Sequence, residues 1–357
     1  MSGAVAMRIT GVGAITSIGV GAVQTDASLR AGLSRFHSGP WQPAGEPVTM
    51  ALVRDAVLTD AMAHVRQRPS APPGDWSARL SALAGIALAD ALFERPPQRP
   101  LALMLGLPDK REGVTLPADA ALWAAIGDAS GIAIDPGRSR SFASGRASVF
   151  EALAAARELL QREPGTLVVC GGVDSYAAAD RVGREDVDGR TVGAGAACDG
   201  RVLGEAAGML VLEADPQRRG GVIVSAIGRH HDPGHRFGHA PAKGEGVSEA
   251  IEALRAEREP GRFATVWAGI IGEVHEAKQW GLAQLRHRDL LPERVRLEHP
   301  ADRLGDAGAG LGAMLLVDAQ LRLVAGRAEG PALVWAVSDH GPCGCAALHL
   351  DATGAAR

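Results

Sequence analysis

Two stretches of this chain have helical period and almost no large side chains. One passes through Ala152–Ala156 within 144–161, and the other spans about 308–323. A helix with such small side chains can be approached closely from all sides. It therefore suits the centre of a layered core rather than a surface. Each is followed by an apolar run without polar alternation, Thr166–Cys170 (TLVVC) and Leu333–Val337 (LVWAV). A Gly turn and a last strand come after, at Gly208–Glu213 in one case and Ala346–Leu350 in the other. Strands that are apolar on both faces belong to sheets covered on both sides. The repeated order predicts two related βαβ halves in alternating layers, bounded at 1–217 and 218–357 across Arg218-Arg219-Gly220-Gly221.

The remaining pattern agrees with an α/β fold. A strand over Met7–Ile15, a helix near Val23–Leu33, a helix over 77–94, a strand over Leu101–Leu107 and a helix over 117–129 fill the first half. The second half reads as strand Val222–Ile227, helix 245–257, strand Phe263–Ile271, helix 274–286 and a short strand at Val295–Leu297. The polar, Gly-rich stretch 178–200 reads as loop. Strands alternating with helices point to layered α/β architecture.

Composition excludes several functions. Of 357 residues, 46% are hydrophobic and 22% charged, the balance of a globular chain with a buried core. With 37 Lys+Arg against 41 Asp+Glu and no basic block, nucleic acid is not the expected partner. Aromatics at 4% leave little for stacking on single strands. No stretch of about 18 apolar residues is long enough to span a membrane. The start, MSGAVAMR, lacks a signal peptide's basic and apolar regions, so a cytoplasmic location and reduced thiols at Cys170, Cys198, Cys343 and Cys345 are expected.

Four ordered segments resemble the β-ketoacyl synthases of the thiolase superfamily: ITGVGAITSIG (9–19), ASGRASVFEALAAARELLQREPGTLVVCGGVDS (143–175), DGRVLGEAAGMLVLE (199–213) and LGDAGAGLGAMLL (304–316). The resemblance implies a thiolase-like fold of five α/β/α/β/α layers. It also implies a helix-start cysteine and two histidines that condense acyl groups onto malonyl thioesters. At the matching positions those residues are absent. Phe142 stands for the cysteine, Gly269 for the first histidine and Asp302 for the second. The family's Gly-Phe-Gly-Gly gate reads Gly341-Pro342-Cys343-Gly344, and its lysine is missing from 297–301. Phe142 is expected to plug the acyl tunnel, and the carboxylate of Asp302 to repel an anionic substrate.

Other residues offer weaker chemistry. Ser144 begins the central helix but has no histidine nearby in sequence and no nucleophile elbow. Cys170 reads as core, and Cys198 as ordinary. His230, His231, His235 and His239 in HHDPGHRFGH are metal candidates by residue type, although Pro233, Gly234 and Gly238 forbid the helix that would align them, so no metal or cofactor is expected. Glu273, His275, Glu276 and Lys278 read as a solvated helix start, and Cys343 and Cys345 as buried thiols on a turn.

The expected function is therefore that of a non-catalytic ketosynthase relative acting through protein contact. The leading expectation is an accessory for effector loading in bacterial type VI secretion. The alternatives are a chain-length factor beside an active ketosynthase and an acyltransferase with a rearranged site. A homodimer or pseudo-symmetric heterodimer is expected, paired through Thr166–Cys170 as an exposed edge strand.

Overall fold

A computed structural model describes residues 5–43, 45, 47–110, 114–192, 199–214, 220–257 and 261–351. The expected boundary at 217/218 and Cys198 lie outside the described residues.

The chain begins with β1 (Met7–Thr16), β2 (Gly19–Val20), α1 (Ala22–Arg30), β3 (His37–Ser38) and β4 (Thr49–Ala51). Then come α2 (Asp55–Arg66), α3 (Trp76–Ala91), β5 (Ala102–Gly106), α4 (Asp119–Ser130) and β6 (Arg140–Phe142). A turn of 3-10 helix at Gly145–Ala147 leads into α5 (Ser148–Arg162), β7 (Leu167–Ser175), α6 (Ala179–Val187) and β8 (Leu203–Ala214). The second part runs β9 (Gly221–His231), α7 (Glu245–Glu257), β10 (Thr265–Ala268), α8 (Val274–Arg286) and β11 (Arg296–Glu298). It ends with α9 (Ala301–Leu304), α10 (Gly308–Val324), β12 (Ala332–Val337) and β13 (Pro342–Asp351).

Strand order is β11-β10-β12-β13-β9-β1-β8-β7-β5-β6. The five strands on either side of the β9–β1 join follow one plan. β5 runs parallel to β6 and β7, and β10 runs parallel to β11 and β12. β8 is antiparallel to β7 and β1, as β13 is to β12 and β9. The join itself is short, pairing Met7–Ile9 with Val222–Val224.

Both small-sided helices lie in the middle. α5 packs on β5 and β7 and also on β9 and β13, while α10 contacts β7 and β8 as well as β12. On the outside, α3 covers β1, β7 and β8 and carries α2 and α4. α7 covers β9 and β13 and carries α8. The layers are α/β/α/β/α, as the resemblance implies. Gly312 shows why the inner helices need small residues, because a Cβ there would lie 2.0 Å from the Arg146 carbonyl oxygen. At Gly310 it would lie 2.1 Å from that of Ala206.

Three expectations need correction. β7 is not an edge strand, because it sits between β5 and β8. Its apolar run follows from being covered on both faces, and the edge on that side is the three-residue β6. The supposed loop 178–200 contains α6, whose Val182 and Glu185 are buried. Finally, β9 extends through His230 and His231, which pair with Cys343 and Pro342. The first half of the histidine motif is therefore strand, not loop.

Candidate functional site

The loops that follow the central strands and open the inner helices converge on one buried cluster of charges. Arg146 comes from the turn before α5, Glu185 from α6, and Arg190 and Arg201 from the segments between α6 and β8. Glu273 and Glu276 come from the start of α8, Asp306 from the α9–α10 junction, and Asp339 from the end of β12. All eight are buried.

The cluster is an interlocked lattice. Arg146 donates from Nε to the Val337 carbonyl at 2.9 Å, from Nη1 to Asp306 at 2.9 Å and from Nη2 to Asp339 at 2.5 Å. Arg190 grips Glu273 with two bonds of 2.7 and 2.6 Å and reaches Asp339 at 2.8 Å. Arg201 donates to Glu185 at 2.7 Å and to the Tyr176 hydroxyl at 3.2 Å, and its Nη1 lies 2.8 Å from Asp306. Asp339 thus meets all three guanidiniums. Burial alone would raise its pKa, but Arg146, Arg201 and Arg190 outweigh that and hold the carboxyl well below the usual range. Asp306 is lowered in the same way by Arg146 and Arg201 against its burial.

Glu276 is the exception. Its nearest cation, Arg146 Nη2, is 3.7 Å away, and neither carboxylate oxygen has a hydrogen-bond partner. Burial, with Glu273 and Asp339 adding to it against the pull of Arg146, pushes its pKa up to about 7. Glu273 and Glu276 are therefore not a solvated helix start, because the fold closes the end of α8 over the lattice.

Among the described residues, little space remains beside it. The recess lined by Asp109, Gly145, Arg146, Ser338 and Asp339 holds about 10 Å³. That is room for about one water molecule, not for an acyl chain. Oxygens of Glu273, Glu276 and Asp339 come within 4.8 Å of one another, the spacing of a cation cage. Arg190 already holds Glu273 and Asp339, so a metal ion would face a fixed guanidinium, and the residues do not fit one.

The degenerate positions turn to separate surroundings. Phe142 ends β6, half-buried against the central apolar core. Gly269 follows β10, where a Cβ would lie 2.9 Å from the Ala336 Cα, so no histidine fits without displacing β12. Asp302 is exposed on the single turn of α9 and pairs with His299 at 2.7 Å. It is Asp306, four residues on, that places a carboxylate inside, so the expected repulsion by Asp302 has no buried site to act in. Ser144 donates its hydroxyl to Glu151 at 2.7 Å, away from any histidine contact. Cys170, Cys343 and Cys345 are buried, and burial raises each thiol's pKa, so none is poised to react. Cys343 and Cys345 lie in β13 rather than on a turn.

The sequence hides this lattice because charges in loops read as solvated. Two residues carried a signal. Arg146 interrupts the small-residue start of a central helix, and Asp306 interrupts the apolar run LGDAGAG. They are of opposite sign, and in the structure they touch.

No protein-family model matches the chain, and no curated protein sequence does. Solved structures match along nearly its full length. The fold is that of the ketosynthases and their chain length factors. One match is from a complex of a type II PKS acyl-carrier protein with its ketosynthase, at TM-score 0.75 and 14% identity, covering 97% of this chain and 99% of that one. A second is from a ketosynthase in complex with its chain length factor from Xenorhabdus doucetiae, at TM-score 0.72 and 13% identity, covering 97% and 98%. A third, the ishigamide ketosynthase/chain length factor, gives TM-score 0.70 and 20% identity, covering 96% and 99%. The thiolase-like architecture is established, while identities this low leave function to the site itself. Among the described residues, no helix is long and apolar enough to cross a membrane.

Proposed function

We propose that this chain is a ketosynthase-like protein without condensing activity, acting through contact with a protein partner in the manner of a chain length factor. The observation that carries this reading is the lattice on Asp339. Where the ketosynthase resemblance calls for a nucleophile and proton donors stand Phe142, Gly269 and Asp302, and the buried charges at the inner helix starts are already committed to one another, with room beside them, among the described residues, for about one water. A nucleophile needs an open approach and an activating base; the cysteines are buried, and the Ser144 hydroxyl is bonded to Glu151 with no histidine beside it among the described residues. Solved structures of the same fold include a ketosynthase bound to its chain length factor, which supports a partnered role over the type VI secretion role. The secretion role rests on sequence resemblance alone. The short edge strand β6 is the surface we assign to pairing, with a like or unlike partner.

The test is incubation with malonyl- and acyl-carrier thioesters, followed by mass spectrometry of the intact chain. The expected result is no acyl adduct and no carbon dioxide, and either product overturns the non-catalytic reading. Co-expression with an active ketosynthase, or with secretion spike and adaptor proteins, then separates the partner readings by which complex survives size-exclusion chromatography.

A further inference from the structure

The fold gathers histidines that are far apart in sequence. His231 ends β9, His235 lies four residues further on, and His340 comes from the turn between β12 and β13. The rings of His231 and His235 lie 5.9 Å apart, edge to face at 66°, and those of His235 and His340 lie 6.3 Å apart. Two imidazoles sharing one zinc-like ion, at about 2.0–2.1 Å per bond, would have ring centres about 5–5.5 Å apart. The observed spacings are wider than that, and the ring nitrogens of the three do not all lie within 4.8 Å of one another, so the site closes only when the rings turn onto the ion.

Two of the rings are already held as metal ligands are held. The Nδ1 of His340 lies 2.8 Å from the Asp109 carboxylate, and the Nδ1 of His235 lies 3.1 Å from the Asp339 carbonyl oxygen. An acceptor at Nδ1 fixes the tautomer and leaves Nε2 as the ligand atom, the usual outer-shell arrangement of a metal-binding histidine. His231 is exposed and can turn, and its ring lies over Gly341, where a Cβ would come within 2.6 Å of it. Gly341 also has φ 106, a second reason for glycine there. Neighbouring strand residues point to opposite faces, so His230 turns away from His231. Neither His230 nor His239 joins these ring contacts among the described residues.

We propose that His235 and His340, with His231 turning in as third ligand, bind a divalent transition metal of the zinc class at the rim of the buried lattice. The ion would tie the end of β9 and the loop after it to the β12–β13 turn. This site does not depend on the proposed loss of condensing activity.

The test uses the full chain, freed of metal by chelation and titrated with Zn²⁺ by calorimetry and with Co²⁺ by visible absorption. The expected result is about one ion per chain, with Co²⁺ bands of a low-coordinate nitrogen site. His235→Ala and His340→Ala are each expected to weaken binding at least about tenfold, and Asp109→Ala by about 10–100-fold through the freed ring. His230→Ala and His239→Ala should leave binding unchanged. Circular dichroism confirms that each variant is folded. Absence of binding by the folded wild type, or equal losses from His230→Ala and His235→Ala, overturns the proposal.

Discussion

Glu276 sits where a charge is poorly served. It is buried, 3.7 Å from its nearest guanidinium, and without a hydrogen bond to either oxygen. Its pKa rises from 4.5 to about 7 on folding, so the folded chain holds this proton more tightly than the unfolded one. Its contribution is fully present below about pH 4.5 and is lost as pH rises through about 7. Glu276→Gln should therefore match the wild type near pH 5 and be more stable at pH 8, by up to about 3 kcal/mol. Urea unfolding at the two pH values checks this, and equal differences at both would refute it. Asp339 has the opposite sign. Its pKa is lowered on folding, so its contribution is present above the usual carboxylate range and is lost only in strong acid. In the sequence, Glu276 and Glu273 looked like ordinary acids at a helix start. Burial of that helix end depends on partners from both ends of the chain, which no local pattern reveals.

The inner helices were the most legible elements. Small side chains in α5 and α10 announced central positions, and the packing explains why, since a Cβ added at Gly310 or Gly312 would lie 2.1 or 2.0 Å from a neighbouring backbone carbonyl oxygen. Gly312→Ala forces a methyl group against the Arg146 carbonyl, beside a lattice residue. It should lower stability by about 1–3 kcal/mol, read from the denaturation midpoint. A neutral outcome would mean that α10 can shift. Strand order was not legible, because an apolar run shows that both faces are covered but not which strands lie alongside. This is why the sequence alone reads β7 as an edge. The real edge, β6, has three residues and too little pattern to stand out. α6 was hidden for another reason, because its first and last turns are rich in Asp and Arg and only Val182 marks the apolar side.

At the scale of the molecule, β6 ends the order of a large sheet and, among the described residues, leaves the backbone groups on its outer side unpaired. Ser141→Pro removes the β6 donor that points away from β5 and should weaken self-association or partner binding about tenfold. Analytical ultracentrifugation measures the change, and an unchanged dimer would place the interface elsewhere.

The lattice also divides unevenly along the chain. Residues before β9 supply three guanidiniums and the single carboxylate of Glu185, whereas residues after it supply Glu273, Glu276, Asp306 and Asp339. Each part, folded alone, would hold a surplus of buried charge that only the other can neutralise. The chain is thus electrically a lock and key made from a single gene. Fragments ending at Ala214 and beginning at Gly220 should each be insoluble or unfolded when expressed singly, yet form a soluble complex when expressed together. Autonomous folding of either fragment would show that the lattice does not bind the two parts into one cooperative unit.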